Sequence, residues 1–334
     1  MSFSLLGIGS PLLDIQQQVS DDFIAMHVSG NKGGMEPVSA EEIENIVSRA
    51  GSVPQIFPGG AAGNTIFALS RFGVKSALRG KLANDKFKEK YFSFAAQNNV
   101  DTSQLIISDT GSTGCCLALV TSDAERTMRS ALGVSLELTC DEISSSAFDD
   151  YDAVLIEGFM AYSGQLENMV NFAAEHNKFI IFDLASFEIA QKFKPLFTSF
   201  ADKISMLVAN EQEALAFTGE ENIKNAFEKL SSDFPAVAVK RGADGVWFAR
   251  GKEKISVPSF PAEKVVDTTA AGDLWLAGFI YAKDAGTDDR QAAVTGTMFA
   301  SKIISHPGSM LTGADVQELT ELIRRQSCNT SSKI

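Results

Sequence analysis

The sequence predicts an α/β protein in which a mostly parallel sheet lies between helices. Short apolar runs alternate with helix-period segments through the second half of the chain, a βαβ rhythm that implies parallel strands buried on both faces. Two stretches break the rhythm and supply material for a separate small β layer. Two glycine- and alanine-rich turns each lead directly into an apolar helix pattern.

Taken in order, the opening MSFSLLGIGSPLLDI has no basic n-region and interrupts its apolar run with Gly7, Gly9, Pro11 and Asp14, so it reads as strand and turn rather than signal peptide. Residues 15–57 contain the Gly/Asn-rich SGNKGGMEP and an acidic helix candidate, SAEEIENIVSRAG, while 111–130, GSTGCCLALVTSDAERTMRS, read as two strands around a turn. Both are read as insertions in one domain spanning 1–334. FPGGAAGNTIFALSRFG (57–73) sets Gly59-Gly60 before an amphipathic run carrying Ile66, Leu69 and Phe72, and Gly73 ends it. AVLIEGF (153–159), KFIIFDL (178–184), ISMLVAN (204–210) and AVAVKRG (236–242) are strand candidates. QLENMVNFAAEHN (165–177), EQEALAFTG (211–219) and ENIKNAFEKLSSD (221–233) are the helices between them. Ligands of such sheets sit beyond the carboxyl ends of the strands, which directs attention to Glu157, Asp183, Asn210, Lys240 and Asp267.

Composition excludes several classes. With 334 residues and 45% hydrophobic content the chain can bury a large core. A net charge of −13 argues against a nucleic-acid binder. Cysteines at 115, 116, 140 and 328, with three histidines in all, have neither the number nor the spacing of a disulfide framework or a zinc site. No run of about 18 apolar residues is free of charges and breakers, so no membrane span is expected. A cytoplasmic protein is the expectation, with the Asn329-Thr330-Ser331 sequon idle.

VVDTTAAGDLWLAGFIYA (265–282) carries the chemistry. A turn of Ala270-Ala271-Gly272 entering a helix presents N–H groups without intrahelical acceptors, and the helix dipole adds positive potential, so the turn binds anions. A carboxylate at Asp273 is placed to take a proton from a hydroxyl attacking a phosphate; locally it serves equally well as a helix cap. Gly59-Gly60 repeats the pattern with Asn64 on the first turn behind it, and locally the pair reads as well as a tight turn.

PGGAAGN and DTTAAGD resemble the two signatures of the PfkB (ribokinase-like) family of carbohydrate and nucleoside kinases. LLGIGSPLLDI, GKLANDKF, VANEQEA and VKRGADGV match further family features in order, over roughly residues 3–312. The Ser-Pro-Leu-Leu-Asp opening, the 112–116 stretch and Glu157-Gly158-Phe159 are most similar to the adenosine kinase branch.

The resemblance implies a ribokinase-like three-layer fold with a small β lid, using ATP and Mg2+ to phosphorylate a primary hydroxyl of a ribose-containing small molecule, adenosine first. A free-sugar kinase is the alternative, and a non-catalytic sensor the third reading. Asp14, Asn64 and the backbone of Gly59 and Gly60 would grip the acceptor, with Cys116, Met160 and Phe187 around its base. Asp273 would be the general base, and the N–H groups of Ala271, Gly272 and Asp273 the anion hole. Asn210 and Glu213 would position magnesium through water, Lys240, Gly242 and Thr268 would contact the nucleotide, and Gly308 would lie beside its base. Asp267 and Thr269 are candidate ligands of a monovalent cation such as K+. Arg126 in the lid would bind phosphate or, alternatively, form a surface ion pair. Expected partners are ATP and the small-molecule acceptor, with the chain a monomer or a homodimer through the lid. Three departures stand out: Ala270 for the usual glycine, tolerable if its φ is ordinary; Ser10 for asparagine; and Met160 for an aromatic.

Overall fold

The computed structural model describes residues 3–123, 125–143 and 145–331. Its strands, in chain order, are β1 (Leu5–Ile8), β2 (Leu12–Gln18), β3 (Met35–Pro37), β4 (Gln55–Gly59), β5 (Ser76–Ala83), β6 (Leu105–Ser108), β7 (Gly114–Val120), β8 (Arg126–Ala131), β9 (Ala153–Glu157), β10 (Phe179–Asp183), β11 (Met206–Asn210), β12 (Ala236–Lys240), β13 (Val246–Arg250) and β14 (Glu253–Val257). Nine build the main sheet in the order β14-β13-β12-β11-β10-β9-β1-β5-β6, parallel except for the β12–β13 and β13–β14 hairpins.

The strand candidates at 153–159, 178–184, 204–210 and 236–242 are β9 to β12, side by side at the centre of the sheet. Their apolar runs are continuous because both faces are covered. Leu155, Ile181, Val208 and Ala238 pack on one side, with helices Ala61–Arg71, Ala271–Asp284 and Asp289–Ile303. Ile156, Phe182, Leu207 and Val239 pack on the other, with Leu166–Glu175 and Ile223–Asp233.

The two rhythm-breaking stretches supply the second sheet, ordered β3-β8-β7-β2-β4. Period-two alternation divides its faces. Ile15, Cys115, Leu117 and Leu119 pack under helices Asp21–His27 and Ala40–Arg49 through Ile24, Ile43 and Ile46. The other face carries Asp14 opposite Phe57 and Cys116, then Ser130 and Arg126 on β8. Cys115, Cys116 and Cys140 are free thiols; the side chains of Cys328 and the sequon lie outside the described residues. Among the described residues no helix is long and apolar enough to cross a membrane.

Candidate active site

Two helix N-termini meet at the centre of the site. Helix Ala61–Arg71 starts from Gly60 and helix Ala271–Asp284 from Ala270, and neither has a side-chain cap. Gly60 has φ 92°, and a Cβ there would lie 2.1 Å from the Ser10 carbonyl oxygen, so only glycine fits. Asp273 does not cap its helix; its Oδ2 accepts from Asn64 Nδ2 at 2.9 Å, tying the first turns of the two helices together. Asn64 Oδ1 is buried and has no partner among the described residues. The N–H of Ala271 donates to Thr268 O at 3.3 Å, whereas those of Gly272 and Asp273 have no acceptor among the described residues. Ala270 sits at φ 59°, ψ 6°. Of the two cases open from the sequence, the positive φ is the one found, and alanine there is strained by about 1 kcal/mol.

Charged groups from the strand ends crowd this turn. Lys240 Nζ lies 3.2 Å from Asp183 Oδ2, and close enough to the turn that a Cβ on Gly272 would come within 2.8 Å of it. Burial opposes the lysine's charge, but Asp183, Glu213 and Asp273 outweigh it and raise its pKa. Burial, helped by the negative charge of Asp183 and opposed by Lys240 and Asn64, pushes Asp273 up to about 7. Glu157 is also pushed by burial to about 7, although its carboxylate accepts from Ser10 N at 2.7 Å and Ala62 N at 2.9 Å, clamping the exit of β1 to the start of helix Ala61–Arg71. Asn210 and Glu213 form a reciprocal capping box: Asn210 Oδ1 accepts from Glu213 N at 2.9 Å, and Glu213 Oε2 accepts from Asn210 N at 2.7 Å. Burial raises the Glu213 pKa. Sequence reasoning named Asp183 and Glu157 as strand-end residues but gave them no role; their position on buried strand ends was the available signal.

The magnesium expectation can be tested on this donor set. Both Glu213 oxygens already accept from Asn210, and Asp183 accepts from Lys240 and from Ala185 N. Carboxylates so engaged fit a cation held through water rather than by direct coordination. Among the described residues no group of three or more His, Cys, Asp or Glu is arranged as a metal cage.

The second sheet brings Asp14 and Arg126 up to Asp267, ahead of this turn. Gly59 leaves room for Asp14, whose Cγ would lie 2.6 Å from a Cβ there. Burial, then the charge of Asp267, pushes Asp14 up to about 7 against the pull of Arg126. Arg126 crosses to the main body, donating from Nη2 to Asp267 and from Nη1 to Thr269 Oγ1 at 2.6 Å. It forms neither an exposed surface pair nor, here, a contact at the Gly272 turn. Asp267 also accepts from Thr269 N at 2.7 Å and Gly308 N at 3.1 Å; these donors and Arg126 overcome burial and hold its pKa down. Both candidate cation-ligand side chains are thus engaged by a guanidinium.

Three placements differ from expectation. Gly308 lies against Asp267 and the Phe57 ring, in a loop whose start is held by Val266 N and Asp267 N donating to Ile304 O. Phe187 is 44% exposed: Ser186 caps its short helix so that Ile189 and Ala190 turn inward instead. Met160 is fully buried in the core, its sulfur 3.9 Å from Ser10 Oγ. Cys116, with burial pushing its thiol to about 12, accepts from Ser130 Oγ at 3.2 Å beside Asp14.

A cavity of about 830 Å3 opens from the Gly272 turn over the second half of the sheet. Asp183, Asn210, Glu213, Lys240, Gly272 and Asp273 line its polar end, with Gly242 and Thr268 nearby. Phe260, Pro261, Ala262, Val265, Ala300 and Ile304 line the other. Polar end and anion-binding turn coincide, as a phosphate-bearing ligand requires.

The profile described as "pfkB family carbohydrate kinase" matches residues 35–315, well over half of the chain. Adenosine kinase 2 of Arabidopsis thaliana is 28% identical over 303 residues, 83% of this chain and 86% of that protein. An uncharacterized sugar kinase of Archaeoglobus fulgidus is 27% identical over 247 residues, 72% and 96% of the two chains. The crystal structure of adenosine kinase from Sinorhizobium meliloti superposes with a TM-score of 0.86 at 25% identity, covering 96% of this chain and 100% of that one.

Proposed function

The chain belongs to the pfkB family of carbohydrate kinases, and we propose that it transfers the terminal phosphoryl group of ATP to a primary hydroxyl of a ribonucleoside, adenosine first. The observation that carries this reading is the Asp273 carboxyl, hydrogen-bonded to Asn64 at an uncapped helix N-terminus. In this reading Asp14 and the open acceptor Asn64 Oδ1 hold sugar hydroxyls, with the Gly59-Gly60 backbone alongside and Cys116 at the edge of the acceptor space. Asp273, poised near neutrality, takes the proton of the attacking hydroxyl. The free N–H groups of Gly272 and Asp273 accept the developing charge on the transferring group.

Lys240, above Gly272, stabilises donor phosphates, and Gly242 and Thr268 complete that end of the cavity. Magnesium, whose chemistry is to neutralise and align the phosphates, would be held through water by Asp183 and Glu213 beside Asn210. Arg126 provides the positive charge at Asp267 and Thr269, and a monovalent cation there would have to displace it.

Likeness to adenosine kinases over nearly the whole chain supports the nucleoside. The exposed Phe187 and the core-bound Met160 favour the second reading, a free-sugar kinase, because neither forms an aromatic wall for a base. Measuring ATP consumption with adenosine, other nucleosides, ribose and fructose separates the two. Adenosine should exceed ribose in kcat/KM by about tenfold or more. A free sugar phosphorylated as efficiently as adenosine would replace the nucleoside reading with the sugar reading.

A further inference from the structure

Residue 60 is glycine, so helix Ala61–Arg71 has no side chain at its N-cap. The cap comes instead from 95 positions away: Ala62 N, second in the helix, donates to Glu157 Oε2 at 2.9 Å, the bond that a capping side chain ordinarily accepts. A carboxylate suits the place, since the helix dipole is positive there. The other oxygen, Oε1, accepts from Ser10 N at 2.7 Å. Ser10 lies between β1 and β2, and Gly60 at the exit of β4, so one carboxylate holds two of the points where the chain passes between the sheets. Glu157 is 1% exposed, and a Cβ on Gly9 would come within 2.6 Å of its carboxyl group, so the chain packs directly against it.

Helix Ala271–Asp284 starts from a similar turn and receives no such cap. Gly272, second in that helix as Ala62 is in its own, has an N–H without an acceptor among the described residues. Glu157 therefore separates two turns that look alike in sequence: at the first the chain supplies its own anion, and at the second the N–H groups stay open to a ligand.

The capped helix also carries a group of the reaction centre. Asn64, on its first turn, donates from Nδ2 to Asp273 Oδ2 at 2.9 Å, and Thr65 Oγ1 donates to Asp273 O at 3.2 Å. Displacing the start of the helix by about 1 Å would break both bonds, and a misplacement of that size can cost about 10²-fold in rate. We propose that Glu157 is a positioning residue for phosphoryl transfer: as the remote cap of helix Ala61–Arg71 it keeps Asn64 on Asp273 and so fixes the base. The proposal rests on Asp273 being that base.

The cap is read first in the unsubstituted protein. In amide exchange without ligand, Ala62 should be protected at least about tenfold more than Gly272; equal protection overturns the proposal. Glu157→Gln keeps the shape but offers one acceptor oxygen to two N–H groups. It should lower kcat by about 10–100-fold with KM for ATP changed less than about twofold, and in an Asp273→Asn background the same substitution should change kcat by less than about twofold. An equal loss in both backgrounds would show that Glu157 acts without Asp273, and a raised acceptor KM at unchanged kcat would show that it touches the acceptor; either result overturns the proposal. Glu157→Asp, one methylene shorter with the charge kept, should match the Gln variant, and parent-like turnover in it also overturns the proposal. NMR signals of the Asn64 side-chain amide separate this inference from the reaction assignment. Should no acceptor be turned over, their displacement in Glu157→Gln, with the signals of β10 to β12 unchanged, upholds the positioning of Asn64 on Asp273 while the assignment fails; unchanged Asn64 signals overturn it.

Discussion

Replacing Asp273 with Asn removes a charge and leaves the shape, so it should depress activity and raise stability together. The amide keeps an oxygen to accept from Asn64 Nδ2, and the N–H groups of Gly272 and residue 273 remain in place. Proton abstraction is lost, so kcat should fall by about 10² or more with nucleotide affinity largely kept. The stability effect follows from the raised pKa of about 7 against the ordinary 3.8 of an aspartate. A carboxyl that holds its proton more tightly when folded imposes no penalty below the unfolded pKa; the penalty grows as pH rises and is complete above about 7. A proton affinity raised about a thousandfold, at ~1.4 kcal/mol per tenfold, bounds it at about 4 kcal/mol, and relaxation of Asp183 and Lys240 would reduce the observed value. Asp273→Asn should therefore be more stable than the parent in urea unfolding at pH 8, by about 1–4 kcal/mol, with the gain shrinking towards pH 5. Near-normal turnover would remove Asp273 from the mechanism, and a gain absent or independent of pH would refute the reasoning from buried charge.

Substitutions at two further positions probe the walls of the site. Arg126→Ala leaves the buried Asp267 carboxylate without its guanidinium; about 1–3 kcal/mol of stability should be lost at neutral pH. Because the Asp267 pKa is depressed, that loss should fade as pH falls through the acidic range, and amide exchange in β8 and around Asp267 should speed up; unchanged exchange in both segments would argue against the contact. At Ala270, where φ is 59°, glycine relieves strain of about 1 kcal/mol but frees the unfolded chain by a similar amount, so Ala270→Gly should change stability by less than about 0.5 kcal/mol. Valine, branched at Cβ, should be clearly destabilising there, and equal melting temperatures for all three proteins would show that the left-handed conformation is not required.

How much could be read from the chain differs by element. The central strands were legible because burial on both faces writes an uninterrupted apolar run, as in AVLIE and FIIFD. The second sheet was legible only as an interruption, since its pairing joins residues far apart, such as Asp14 with Cys116. Asp273 and Asn64 stood out through their glycine-rich approaches, but their mutual hydrogen bond spans 209 positions and leaves no local mark. Arg126 is the same case: its partners lie 141 and 143 positions away. Phe187 misled because six helical residues carry too little periodicity to show which side turns inward, and the Ser186 cap decided it.

The electrostatics of the cluster join stability to function. Asp183, Glu213 and Asp273 act on the buried Lys240, Glu157 adds to the negative charge at Asp273, and the tension appears as raised affinities for protons at Glu157, Glu213 and Asp273. A structural network would be expected to pair such groups or dispense with them. Here the surplus of acid is held at two helix N-termini, where unsatisfied N–H groups supply positive potential without adding a titratable group. That arrangement lets Asp273 titrate near neutrality, as a base working at physiological pH requires, while the N–H groups next to it remain available to an anion. Donor phosphates arriving at Gly272 would meet the same carboxylates, so their binding should weaken as pH rises unless a divalent cation accompanies them. Nucleotide affinity measured with and without Mg2+ between pH 6 and 8 exposes this directly: the two should diverge as pH increases, and parallel curves would show that the acid cluster does not bear on the phosphates.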